Sequence, residues 1–129
     1  MIQIKKIKSS SEKSYEELWD KVRVMNCGKT LSNNSYHQIV TDFFEKNHRI
    51  DFLIKAIDEE KSSVILQECH SLKGASSMIG LIGFNDLIES IEQCVSKKEF
   101  FNKNALIENL KNILNISKET FFKYNQGKE

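Results

Sequence analysis

The chain has 129 residues, of which 40% are hydrophobic and 29% charged, with five glycines and no proline. That length suits one domain and is too short for two well-cored ones, and a β-sandwich or barrel, which needs a turn about every 8–12 residues, lacks the necessary punctuation. Nineteen basic residues against eighteen acidic ones leave a net charge of +1, and only two of the basic residues are Arg (Arg23 and Arg49), so neither nucleic acid nor a membrane is expected as a partner.

Residues 1–13 are rich in Lys and Ser and contain no apolar core of a signal peptide; they read as a flexible, solvated tail. No apolar run approaches the length of a membrane-spanning helix. The three cysteines, Cys27, Cys69 and Cys94, are widely spaced and form no CxxC motif. Free thiols in a reducing compartment follow, and a cytoplasmic location is expected.

Tyr15, Leu18, Trp19, Val22 and Met25 recur at spacings of three and four and predict an amphipathic helix over 15–25, its Trp19 stripe packing against the rest of the fold. Asn26-Cys27-Gly28 supplies a stop, because glycine suits the left-handed residue past a helix end. Lys29–Ser35 then reads as a linker. A second helix is expected from about Ser35 to Asp58, with Tyr36, Val40, Phe43, Ile50, Ile54 and Ile57 in a stripe interrupted only at Asn47. Ile39, Phe44 and Leu53 widen that stripe to core-facing breadth. Taken as one piece, this helix would span roughly 36 Å.

A turn over 58–63, with Ser62 or Ser63 as the helix cap, leads to a third helix ending near Ile79. Its inner face carries Ile65, Cys69, Leu72, Ser76 and Ile79. Gly80 and Gly83 mark the next break. A fourth helix over 85–97 follows, with Phe84 at its entrance and Leu87, Ile88, Ile91, Cys94 and Val95 turned inward. The last helix, capped by Asn102 or Asn104, buries Leu106, Leu110, Ile113, Leu114, Phe121 and Tyr124. Short connections favour antiparallel neighbours. The expected fold is therefore all-α, an antiparallel four-helix bundle over 35–125, preceded by an additional N-terminal helix and linker over 14–34 and the tail.

Function has to come from residues that break the rules of a bundle. Several do so together in the third helix, over Cys69-His-Ser-Leu-Lys-Gly-Ala-Ser-Ser-Met-Ile-Gly80. At about 100° per residue His70 lies about 160° from Leu72, and so points away from the core stripe. Lys73 and Gly74 are three and four residues on, beside His70 on the same surface. Glycine in mid-helix costs about 1 kcal/mol relative to alanine, so a missing side chain beside an exposed imidazole implies a surface that something must approach closely. Lys73 adds a cation, which favours the neutral, nucleophilic form of a nearby imidazole. This combination suits a histidine that accepts a phosphoryl group.

The run His70-Ser-Leu-Lys73-Gly74-Ala-Ser-Ser-Met-Ile-Gly80 resembles the signature of histidine-containing phosphotransfer (HPt) domains. That pattern is His, any residue, Leu or Ile, Lys, Gly, then small residues, with a second Gly ten positions after the His. The similarity extends more loosely from Tyr36 to Phe122, through Phe43-Phe44 and Ile91-Glu92. It implies a phosphorelay intermediate in which His70 is the phosphoacceptor and Lys73 stabilises the phosphoryl group. Gly74 would be the clearance for a receiver domain, with Leu66 and Ser77 in the docking patch. The implied partners are receiver domains of response regulators or of hybrid histidine kinases. The carrier is expected to be a monomer with no cofactor of its own, Mg²⁺ being supplied by the receiver. Catalysis would come largely from that partner, so the protein is a phosphocarrier rather than a true enzyme. In keeping with this, the chain has no phosphate-cradling glycine loop of the GxxxxGK[ST] kind.

The alternative is a non-catalytic helical adaptor that binds a receiver domain or histidine kinase without carrying phosphate. Because the chain runs from Met1 to Glu129 without a linker into more sequence, a stand-alone protein is expected rather than the phosphoacceptor domain of a larger kinase. Metal binding by Cys69 and His70 is disfavoured, because adjacent helical residues diverge and no second ligand pair is suitably spaced. His37 and His48 read as surface residues, and Cys69 as a small buried hydrophobe.

Overall fold

A computed structural model of the chain describes residues 13–125. All but the last residue of the expected tail, residues 1–12, lie outside the described residues. The helices are α1 (Tyr15–Leu18), α2 (Lys21–Leu31), α3 (Asn33–Glu45), α4 (His48–Asp58), α5 (Ser62–Ile79), α6 (Ile82–Ser96) and α7 (Lys103–Asn125), and no strand occurs among the described residues. Helix α4 packs on α5, α5 on α6, α6 on α7, and α7 back on α4. This closes an antiparallel four-helix bundle whose first member is extended upstream by α3.

Two breaks divide helices that the periodicity joins. The expected 15–25 helix stops at Trp19, which is extended at φ −128°, and restarts after Asp20. The Asp20 carboxylate caps α2 by accepting from the Arg23 N–H at 3.1 Å, while the Asp20 N–H donates to the Gly80 carbonyl at 2.8 Å. Releasing Trp19 from a helix lets it enter the core. There it is fully buried, its Nε1–H donates to the Ser117 carbonyl at 3.1 Å, and its ring centroid lies 4.9 Å from that of Phe121. Downstream of this break Val22 and Met25 are exposed rather than part of a buried stripe. The expected 35–58 helix divides at Lys46-Asn47, where the Asn47 side chain accepts from the Arg49 N–H at 3.1 Å and starts α4. The one polar gap in that stripe is a second cap, and Ile39 above it is exposed.

Gly28 does not stop α2, which continues to Leu31, and α3 starts at Asn33, so all of the expected linker except Ser32 is helical. A Cβ on Gly28 would stand 2.6 Å from Asn33 Oδ1, so this glycine makes room for the first residue of α3. Helix α5 starts without a serine cap; Lys61 occupies that position. Gly80, at φ 86°, does end α5 as expected. Gly83 instead lies inside the first turn of α6, where an added Cβ would meet Leu18 Cδ2 at 3.0 Å and Leu18 Cα at 3.2 Å. It is a close approach for α1, and α6 therefore begins at Ile82.

The inner faces of the last three helices follow the sequence periodicity. Ile65, Cys69, Leu72, Ser76 and Ile79 of α5 are buried, as are Leu87, Ile88, Ile91, Cys94 and Val95 of α6 and Leu106, Leu110, Ile113 and Phe121 of α7. Asn102 Oδ1 caps α7 by accepting from the Ala105 N–H at 3.1 Å. Leu114 is only half-buried, and Tyr124 is exposed, stacked on Tyr15 with ring centroids 4.5 Å apart.

Candidate functional site

Helix α5 has two unlike faces. Toward the core it buries the apolar stripe with Glu68, whose Oε2 lies 3.3 Å from Nη1 of Arg49 on α4. Cys69 sits in the same stripe, and burial pushes its thiol up to about 12, so it is neither a nucleophile nor a ligand near neutral pH. On the opposite face Ser63, Gln67, His70, Gly74, Ser77 and Met78 are exposed. Their spacing of three and four residues makes one continuous surface along the helix.

His70 stands near the middle of that surface, and its ring has no hydrogen-bond partner among the described residues. One turn on, an added Cβ on Gly74 would meet nothing within 4 Å. Space inside the fold is therefore not the reason for this glycine. The structure places Lys73 and Gly74 on either side of the line from His70 to Ser77. It places Leu66 at the edge, half-buried and packed against the core. His37 and His48 are exposed on other helices; the His37 ring lies 5.6 Å from that of Phe121.

Two residues of α6 organise this surface, and the sequence reading assigned neither a role. Glu92 Oε1 accepts from Lys73 Nζ at 2.7 Å. That hydrogen bond, reinforced by the carboxylate's charge, raises the Lys73 ammonium above its ordinary range. Lys73 is therefore a half-buried, held cation rather than a free one. Asn85 reaches across from the first turn of α6, and its amide N–H groups are shared among the Lys73 carbonyl at 2.8 Å, Ser76 Oγ at 3.0 Å and Ser77 Oγ at 2.8 Å. Ser77 is thus engaged with α6 as well as facing outward. The heptad-like spacing of Asn85 and Glu92 was available in the sequence; which helix they would face was not.

Among the described residues no three or more His, Cys, Asp or Glu side chains are grouped as metal ligands. No helix among them is long and apolar enough to cross a membrane.

The surface thus presents an exposed imidazole on a helical bundle, flanked by a held ammonium and a bare turn. A family model of the Hpt domain matches residues 38–118, from α3 to within α7, and the chain belongs to that family. Neither the curated proteins nor the solved structures contain a match. Membership makes this a phosphotransfer protein of two-component signalling, and domains of the family interact with receiver domains and kinases.

Proposed function

We propose that the chain relays a phosphoryl group between receiver-domain aspartates through a phosphohistidine at His70. The observation that carries this reading is the pairing of an exposed imidazole with an unobstructed turn at Gly74. A ring nitrogen of His70 attacks the phosphorus of an aspartyl phosphate in line. The P–N bond forms as the P–O bond to the aspartate breaks, and the carboxylate leaves. A second receiver reverses the step. Lys73 supports the phosphoryl oxygens from the side, held in place by Glu92. The receiver's acidic pocket supplies Mg²⁺, which with its own lysine stabilises the charge in transfer. Gly74 leaves room for the receiver backbone, and Leu66 and Ser77 border the contact. Receivers of response regulators or of hybrid kinases are the proposed partners, and the relay operates in the cytoplasm on a monomer.

Incubation with a phosphorylated receiver domain tests this. The protein should acquire acid-labile, alkali-stable phosphate, and His70→Gln should remove all of it while leaving the helical circular dichroism unchanged. Incubation with ATP and Mg²⁺ alone should give no label. Label that persists in His70→Gln sinks the assignment. A receiver that binds stably without transferring phosphate returns the protein to the adaptor class.

A further inference from the structure

We propose that the groove enclosed by α2, α3 and the end of α7 is a second interaction site, which takes an acidic amphipathic helix of a partner protein. The groove has a volume of about 1060 Å³ and lies away from the His70 surface, with Tyr15, Tyr36, Phe121 and Tyr124 among its lining. Small-molecule pockets occupy about 300–1,000 Å³ and enclose most of their ligand. Here Lys21, Met25, Lys29, Asn33, His37 and Tyr124 are all exposed. An open trough of that size between helices fits the helix-in-groove mode of recognition.

Charge selects the partner. Lys21, Lys29 and His37 line the groove, and among the described residues no carboxylate does. Lys29 has no ion pair among the described residues, and Lys21 is paired only with the exposed Glu16, at 2.9 Å. An apolar stripe flanked by carboxylates would meet the exposed Met25 and Tyr124 side chains and the ammonium rim together. A basic helix would meet like charge.

The α2 wall is itself short of burial. None of its 11 residues is buried, and Val22 and Met25 are 61% and 53% exposed. It is tied to the end of α5 by the Cys27 thiol, 3.5 Å from the Met78 carbonyl, and by the Arg23 stem lying against Gly80. Ser32, which joins α2 to α3, sits at φ 79° and ψ 151°, a conformation essentially confined to glycine elsewhere. A strained hairpin with an uncovered apolar side gains from a partner that covers Met25.

The test uses two fluorescently labelled synthetic peptides of about 18 residues, long enough to form a helix. Both carry leucine at helical spacing, one with glutamate and one with lysine at the remaining positions. Fluorescence anisotropy with the full chain should show the glutamate peptide binding at least about tenfold more tightly than the lysine peptide. Amide resonances of α2, α3 and the end of α7 should shift. Met25→Asp and Lys29→Glu should each weaken the glutamate peptide without lowering the melting temperature, whereas His70→Gln should bind it like the parent. Equal binding of both peptides, no binding, shifts confined to the His70 face, or unaltered binding by both groove variants overturns the proposal. So does dodecanoate shifting the groove resonances when the glutamate peptide does not. Failure of the phosphate-labelling experiment leaves this result untouched, because no readout here involves phosphate.

Discussion

Replacing Gly74 by alanine or by glutamine separates what the fold needs from what a partner needs. An added Cβ there has no neighbour within 4 Å, so neither substitution meets a clash inside the molecule. Helix propensity favours alanine over glycine by about 1 kcal/mol, part of it through a less flexible unfolded chain. For a domain of this size the gain corresponds to a rise of about 4 °C in melting temperature. Glutamine, also a good helix former, should raise stability by a few tenths of a kcal/mol less than alanine, about the spread among good helix formers. Its side chain would, however, project from the turn next to His70, where the receiver must bring its aspartyl phosphate. A displacement of about 1 Å in a reacting pair can cost on the order of 100-fold in rate. Thermal melts by circular dichroism and phosphotransfer rates from a phosphorylated receiver read the two effects separately. The expected result is a protein that is more stable and transfers poorly, with alanine less impaired than glutamine. If Gly74→Gln unfolds, the glycine serves internal packing; if it folds and transfers at the parental rate, docking lies elsewhere. Either result refutes the reasoning.

Gly83→Ala should have the opposite sign to Gly74→Ala and lower the melting temperature, because its Cβ would press on Leu18. Lys73→Ala should slow transfer or shorten the phosphohistidine lifetime more than Lys73→Ala combined with Glu92→Gln, because the single change leaves an unpaired carboxylate beside the phosphoryl group. Glu92 raises the Lys73 ammonium, so the pair stabilises the fold below the ordinary lysine range and ceases to do so as pH rises past the elevated value. Titration of the Lys73 side chain by NMR should therefore show its midpoint move down in Glu92→Gln; an unchanged midpoint breaks the link. The Cys69 thiol, buried and pushed up to about 12, should resist iodoacetamide at pH 8 until the protein unfolds, as mass spectrometry of labelled peptides will show. Trp19→Ala should cost about 3–5 kcal/mol in denaturant melts, although it lies outside residues 38–118 of the family match.

The bundle was legible because its inner faces depend on periodicity, which neighbouring residues carry. The expected inner faces of α5 and α6 follow from spacing alone, and that of α7 does so apart from Leu114 and Tyr124. Breaks were harder. Three helices end in the same paired arrangement of backbone hydrogen bonds around a left-handed residue, at Glu60, Gly80 and Lys98, at φ 54°, 86° and 57°. Only the glycine advertises itself; a glutamate or lysine in that conformation is set by the chain packing around it. Asp20 and Asn47 are competent caps, but the same side chains sit harmlessly on exposed helix surfaces, and tertiary demand for Trp19 and for α4 decides between the two. At the candidate site, the direction of His70 and the bareness of Gly74 were legible from one helix. Glu92 and Asn85 were not, because their roles depend on how α6 is rotated against α5.

The Asn85 bridge has a consequence for motion at the His70 surface. A glycine within a helix lowers the free energy of local opening, and amides of the following turn would ordinarily exchange with solvent early. Here the carbonyl before that glycine and two hydroxyls after it are fastened to a neighbouring helix. The turn is splinted from behind, leaving its outer side uncovered. Amide exchange around 74–78 should then track unfolding of the α5–α6 hairpin rather than fraying of a single turn. An incoming receiver meets a surface that is bare without being soft, and little ordering entropy is left to lose on docking.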